Sequence, residues 1–377
     1  MRYLLLIALL GAAACQAQDL PIGTRDTTFY DPVRDRNIGT VVHYPAMVAG
    51  VGAEPAAGAF PILVFGHGFL MGVEAYGNIR DHFVPRGYIL VLPTTEGGFP
   101  DHEAFGEDLA FLAGAFQAAG ADPVSPFFGH VAPRTALMGH SMGGGASVLG
   151  ASGNTSIQAL VNLAAAETDP SAIAAAAGVT VPALIIAGAE DCVTPPDQHQ
   201  IPIHSAIASA CKSLMIINGG GHCAFAESNL ICSIGESTCG GASITREEQH
   251  DVVNDIAGLW LDAFLKDDPI AYGGFLDSLT TSTRLAGTTT CLSTGITKKP
   301  ADPITLHPVP AADLLFVTGL SEARSVSITD ATGRLVMRGR IGGDIGPLDI
   351  SCLRSGMYRM AIEDPGGIEH RSFVVQQ

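Results

Sequence analysis

Between residues 60 and 217 the apolar positions fall into short unbroken runs, separated by longer stretches with helical spacing. The runs are Phe60 to Phe65, Tyr88 to Leu92, Thr135 to Met138, Ile157 to Leu163, Val181 to Ala187 and Ser213 to Ile217. Continuous runs of this length predict strands buried on both faces. Residues 73–86, 103–119, 170–177 and 196–210 predict helices between them, and a further helix follows Ser141. In the second of these Phe105, Leu109, Leu112 and Phe116 share one face. Residues 245–265 predict a last amphipathic helix carrying Trp260. Regular alternation of strand and helix predicts an α/β fold with a mostly parallel sheet covered on both faces. Upstream, strand-like runs near Thr27 to Tyr30 and Gly39 to Tyr44 predict an antiparallel hairpin.

The pattern changes after the last helix. Residues 268–302 turn polar and Thr/Ser-rich, and Lys298-Lys299-Pro300 reads as a linker. Beyond it come short strand-like runs at Leu314 to Val317, Ser325 to Thr329, Arg334 to Met337, Met357 to Ile362 and Arg371 to Val375. Asp330-Ala331-Thr332-Gly333 and Pro365-Gly366-Gly367 supply turns, which predicts a small β-sandwich. The first residues form another unit. Arg2, the apolar Tyr3 to Leu10 and the small residues Gly11 to Ala17 have the layout of a secretory signal peptide, cleaved after Ala17. Ala12-Ala13-Ala14-Cys15 leaves lipidation of Cys15 open. The expected organisation is a signal peptide (1–17), a catalytic α/β domain (18–290), a linker (291–302) and a β-sandwich (303–377).

With 377 residues, 47% of them hydrophobic and 15% charged, the chain can bury a sizeable core. The net charge of −17 argues against nucleic acid and anionic membrane surfaces as partners. Export makes disulfides possible for Cys192, Cys211, Cys223, Cys232, Cys239, Cys291 and Cys352, whose spacing does not suit zinc.

Candidate chemistry centres on Ser141. The run Thr135 to Met138 ends in Gly139-His140-Ser141-Met142-Gly143, a G-x-S-x-G pentapeptide followed by small residues. In a nucleophile elbow a strand turns sharply into a helix and leaves the serine hydroxyl free. A serine hydroxyl needs a histidine to accept its proton and a carboxylate to orient that histidine. Downstream, the strand Ala183 to Ala187 ends near Glu190-Asp191, and the strand ending at Ile217 runs into Gly219-Gly220-Gly221-His222. Carboxyl ends of parallel strands share one edge, so Ser141, Asp191 and His222 can converge. Glu190 stays open as an alternative acid. His222 could instead be a solvated loop histidine. His67 reads as structural, and the remaining histidines as surface or packing residues.

An oxyanion needs preorganised N–H donors. Met142, directly after the serine, supplies one, and Phe69 in Gly66-His67-Gly68-Phe69 supplies the second. The short interval from Ser141 to Asp191 leaves no room for a large cap, so the site is expected to be open. Phe69, Met142 and Glu167 are candidate pocket residues, with ordinary packing the alternative for Phe69 and Met142. Cys192 and Cys223 directly follow the acid and the histidine, so Cys192–Cys223 is the expected bridge. Cys232–Cys239 and Cys211–Cys291 complete the expected pairing.

Residues 19–267 resemble secreted α/β-hydrolases of the dienelactone hydrolase, chlorophyllase-like and cutinase-like group, which includes polyester hydrolases. The resemblance rests on Gly66 to Phe69, Gly139 to Gly145, Glu190 to Pro195 and Asn218 to His222. It implies the α/β-hydrolase fold and a serine carboxylester hydrolase without cofactor or metal. Cutinase-like polyesterases carry an aromatic after the oxyanion loop, matched by Phe69. They carry a tryptophan where this chain reads Ala164-Ala165-Ala166-Glu167-Thr168, and plant chlorophyllases carry an arginine in place of Met142.

The C-terminal unit resembles a type IX secretion sorting domain through His307 to Ala311, Val326 to Arg334, Leu348 to Leu353 and Ser355 to Tyr358. That implies the type IX secretion machinery as a partner and a secreted or outer-surface location. A carbohydrate- or surface-binding module is the alternative. The reading is thus a monomeric secreted serine esterase acting on a small-molecule or polymeric ester. Alternatives are a peptidase or amidase, a chlorophyllase-like lipase, or a non-catalytic surface-binding protein.

Overall fold

The computed structural model describes residues 19–238, 240–291, 305–318, 324–331, 333–341, 347–364 and 367–377. The expected signal peptide, Cys15, Cys239 and residues 292–302 of the expected linker lie outside these. Contacts divide the chain into two units, one beginning at Leu20 and the other holding the C-terminal strands.

The first unit opens with β1 (Ile22–Asp31) and β2 (Arg36–Pro45), paired antiparallel as expected, then the short β3 (Gly50–Val51). There follow β4 (Phe60–Gly66), α1 (Gly77–Phe83), β5 (Ile89–Pro93), α2 (His102–Ala121), β6 (Val131–His140) and α3 (Met142–Ala151). Next are β7 (Ala159–Leu163), α4 (Ala172–Ala175), β8 (Ala183–Gly188), α5 (Gln200–Ala206) and β9 (Lys212–Ile217). The unit closes with α6 (Leu230–Glu236), α7 (Arg246–Leu265), α8 (Pro269–Thr281) and β10 (Leu285–Thr289).

These strands form one sheet in the order β10-β9-β8-β7-β6-β4-β5-β2-β1-β3. From β5 to β9 neighbours are parallel, and β2 and β10 join antiparallel. Period-two alternation divides the strand residues between two cores. Leu63, Phe65, Leu90 and Leu92 pack with Ile79 of α1 and with Ile256 and Trp260 of α7. Ile62, Val64, Ile89 and Val91 pack with Phe105, Leu109 and Phe116 of α2 and Ala146 of α3. The predicted α/β fold is therefore present, with helices on both faces.

Two expectations change. The polar stretch after Leu265 holds a further helix and a strand within the expected 18–290 domain. The Asp268 side chain caps α8, accepting from the Ile270 and Ala271 N–H groups, and Phe275 is fully buried. β10 then extends the sheet, so α7 is not the last helix. The predicted helix at 196–210 is shorter, beginning at Gln200 after Pro195 and Pro196.

The second unit contains β11 (Thr305–His307), β12 (Leu314–Thr318), β13 (Arg324–Asp330), β14 (Leu335–Ile341), β15 (Leu348–Asp349), β16 (Gly356–Asp364) and β17 (Gly367–Val375). They form two antiparallel sheets, β11-β12-β15 and β14-β13-β16-β17. Leu315, Ile328, Ile350, Met360 and Phe373 fill their common core.

Candidate active site

Ser141 sits between the end of β6 and the start of α3, with φ 56° and ψ −121°. A non-glycine residue at positive φ is strained, and such strain is held only where the surroundings over-determine it. Here they do. The Ser141 N–H donates to the Leu163 carbonyl at 3.0 Å, and the Ser141 carbonyl accepts from Ala166 at 2.8 Å and Gly145 at 3.0 Å. The glycines of the pentapeptide are steric necessities. A Cβ on Gly143 would lie 2.1 Å from the Gly66 carbonyl oxygen, and one on Gly139 would lie 2.2 Å from that of Gly143. The same closeness seats the loop after β4 directly on the N-terminus of α3.

β8 ends at Gly188 and places Asp191 in the next turn; β9 ends at Ile217 and the glycine loop carries His222 back over the sheet edge. Ser141, Asp191 and His222 come together. His222 Nδ1 lies 2.7 Å from Asp191 Oδ2, and His222 Nε2 lies 2.9 Å from Ser141 Oγ. Asp191 and His222 are 4% and 2% exposed, and Ser141 9%, so the whole line is shielded from solvent. Asp191 Oδ1 accepts from the Val193 N–H at 2.9 Å and the Thr194 N–H at 2.8 Å. Glu190 is exposed and accepts from the Ser243 hydroxyl instead.

Phe69 and Leu70 form the apex of a turn closed by the Met71 N–H donating to the Gly68 carbonyl at 3.1 Å, with Leu70 at φ 53°. That bond does not use the Phe69 N–H. Met142 is the first residue of α3, where an N–H has no intrahelical partner. Of the candidate pocket residues, the Phe69 ring is 46% exposed, whereas the Met142 side chain is buried in the core with α2 and α3. The Glu167 carboxylate accepts from the Ser171 hydroxyl and, at 2.9 Å, from the Ile173 N–H. Its charge is thus spent at the start of α4, where it meets the positive end of the helix. His67 is buried in the loop after β4, its Nε2 2.8 Å from the Thr95 carbonyl.

Several supporting residues escaped the sequence reading. The Thr194 hydroxyl lies 2.9 Å from Asp191 Oδ2 and 3.1 Å from His222 Nδ1, and accepts from Gln200 Nε2 at 3.1 Å. The Glu236 carboxylate of α6 accepts from the His222 N–H at 2.7 Å and the Cys223 N–H at 3.2 Å. His199 Nδ1 accepts from the Glu167 N–H at 2.8 Å, and burial lowers its pKa. Proximity to Asp191 in the chain could have flagged Thr194. Glu236 and Gln200 leave no local signal.

The disulfides correct the expected pairing. Cys211–Cys291 forms as expected, but Cys223 pairs with Cys232. Neither Cys192–Cys223 nor Cys232–Cys239 exists. The cause is α6: the Asn229 side chain caps its first turn by accepting from the Ile231 and Cys232 N–H groups. That turn brings Cys232 to a Cα separation of 5.6 Å from Cys223. Cys192 is also disulfide-bonded. Among the described residues no group of three or more His, Cys, Asp or Glu could hold a metal ion.

A serine at a sharp strand-to-helix turn, a buried imidazole and a carboxylate, all past strand ends on one edge of the sheet, are what a hydrolase of esters needs. Residues 94–239 match the PET hydrolase-like family. The matched segment contains Ser141, Met142, Glu167, Asp191 and His222, while Phe69 precedes it. The match supports an ester hydrolase in general. Residues 305–376 match the secretion system C-terminal sorting domain, which marks a protein secreted or attached to the cell surface and supports interaction with the secretion machinery. No curated protein matches the chain.

Proposed function

We propose that the protein is a secreted serine carboxylester hydrolase that works through an acyl-enzyme. The observation that carries this reading is the unbroken line Ser141 Oγ, His222 Nε2, His222 Nδ1, Asp191 Oδ2, with steps of 2.9 and 2.7 Å. Ser141 Oγ attacks the ester carbonyl while His222 Nε2 takes its proton, and Asp191 holds the Nδ1–H and stabilises the imidazolium. The Met142 and Phe69 N–H groups receive the oxyanion. Such donors are worth about 3 kcal/mol each. His222 returns the proton to the leaving alcohol, and water then releases the acid by the same steps reversed.

The organisation we propose around this site is a signal peptide over 1–17, a catalytic domain over 18–290 and a sorting domain over 303–377, acting as a monomer. The substrate is a carboxylic ester reached from open solvent past the exposed Phe69 ring, with polyester the polymeric case. A series of p-nitrophenyl esters from acetate to palmitate tests the reading. The expected result is hydrolysis with a burst of p-nitrophenolate close to one equivalent of enzyme. No hydrolysis of any chain length would overturn it.

A further inference from the structure

Two buried polar side chains that this mechanism does not use lie between its two halves. Tyr76, in the single helical turn before α1, is 1% exposed, and His140, beside Ser141, is fully buried. The Gly68 N–H donates to Tyr76 Oη at 2.7 Å. Tyr76 Oη lies 3.0 Å from His140 Nδ1, and His140 Nε2 lies 3.2 Å from the His222 carbonyl oxygen. Gly68 and Tyr76 lie eight residues apart, His140 and His222 much further along the chain, and together they join the Gly68 N–H, one residue before Phe69, to the His222 carbonyl.

The direction of each bond follows from elementary chemistry. A carbonyl only accepts, so His140 Nε2 carries the proton. Burial first, then the neighbouring charge of His222, holds the His140 pKa well below the usual imidazole value, so the ring is neutral and Nδ1 is bare. The tautomer is assigned from this network. Burial likewise holds the Tyr76 phenol protonated. Its O–H therefore donates to His140 Nδ1, with the Met71 sulfur at 3.5 Å the weaker acceptor among the described residues. The relay runs one way: Gly68 N–H to Tyr76, Tyr76 O–H to His140, His140 N–H to His222.

We propose that Tyr76 and His140 are positioning residues of the hydrolytic site, a single donor relay that fixes the Phe69 oxyanion donor relative to the His222 base. The proposal rests on the esterase reading above. A relay of this kind matters because donors must meet the developing oxyanion at 2.7–3.1 Å. Ring packing reinforces it: Tyr76 lies against Phe65 with centroids 4.6 Å apart, and His140 against His222 at 4.9 Å. A phenylalanine at position 76 would fill the same volume and make the same ring contacts, so packing alone does not account for the hydroxyl.

Tyr76→Phe is the test. The expected result is a kcat on p-nitrophenyl butyrate about ten-fold lower, short of the ~100-fold lost on a 1 Å misplacement. KM should stay within about two-fold, since ground-state binding does not use the oxyanion donors. Affinity for an alkylboronic acid, which forms a tetrahedral adduct on a reactive serine, should fall by the same factor as kcat/KM. Wild-type kcat and boronate affinity in the folded variant would overturn the proposal. Nitrogen-15 histidine spectra of the wild-type protein decide the relay without any variant. One imidazole must be neutral with Nε2–H and a bare Nδ1 and be lost in His140→Ala; an Nδ1–H tautomer at His140 overturns it. A wild type inactive on every ester would instead overturn the esterase reading, and with it the purpose of the relay.

Discussion

Ser141→Ala is expected to lower kcat on p-nitrophenyl butyrate by about 10⁶-fold, the loss seen when the nucleophile of a serine protease is removed. The size follows from the absence of a substitute. Among the described residues the other hydroxyl near the imidazole is Thr194, and it faces His222 Nδ1 at 3.1 Å rather than Nε2. It cannot hand its proton to the nitrogen that acts as base. The fold should not change. The bonds that hold the elbow use the Ser141 backbone, to Leu163, Gly145 and Ala166, and alanine meets the same φ cost as serine. The checking measurements are kcat with a contamination control and the thermal midpoint. Retention of more than about one part in a thousand of the rate would remove Ser141 from the mechanism.

Asp191→Asn is expected to cost about 10⁴-fold in kcat, the loss measured for the corresponding change in a serine protease. The local bonds dictate how the amide must lie. Oδ1 of Asp191 accepts two backbone N–H groups, from Val193 and Thr194. Asparagine must keep its oxygen there, so its NH₂ takes the place of Oδ2, 2.7 Å from His222 Nδ1. An NH₂ donates, so His222 would present a bare Nδ1 and move its proton to Nε2. That nitrogen could then no longer accept the proton of Ser141. The variant should fold, since the two backbone donors stay satisfied. A kcat within ten-fold of wild type would mean that Asp191 does not set the tautomer.

The chemistry-bearing strand ends were legible because they are strand ends. Buried runs such as Ala183 to Ala187 and Ser213 to Ile217 announce themselves by continuous apolar character, and the residues just after them share an edge by topology. The helices of 103–119 and 245–265 were legible for a related reason. Each has a largely apolar buried face, and the second opens with a capping box between Thr245 and Glu248. α6 lacked such a signal. Leu230 and Ile234 on it are 75% and 59% exposed, so no buried face imposes a period. Missing that helix is what made Cys192–Cys223 attractive, because without the α6 turn Cys232 has no reason to lie beside Cys223.

α8 and β10 were hidden differently. Gly273-Gly274 and the run of threonines look like linker, yet the cap at Asp268 and the burial of Phe275 suffice for a helix. β10 lies at the sheet edge with Ala286, Gly287 and Thr288 exposed, so composition does not mark it as a strand. The relay of Tyr76 and His140 joins residues 64 positions apart. Periodicity reports which face a residue is on; it says nothing of which polar atom on another element it meets. Glu167 shows the converse: its position after β7 suggested a pocket, while its carboxylate serves the first turn of α4.

Peptide mapping of the acyl-enzyme tests the central claim most directly. The full chain is mixed with p-nitrophenyl butyrate, quenched in acid within the burst, digested and analysed by mass spectrometry. One butyryl group is expected on the peptide containing Ser141, absent in Ser141→Ala and accumulating in step with released p-nitrophenolate. Turnover with no acyl group on Ser141, or with the group on another residue, would contradict it.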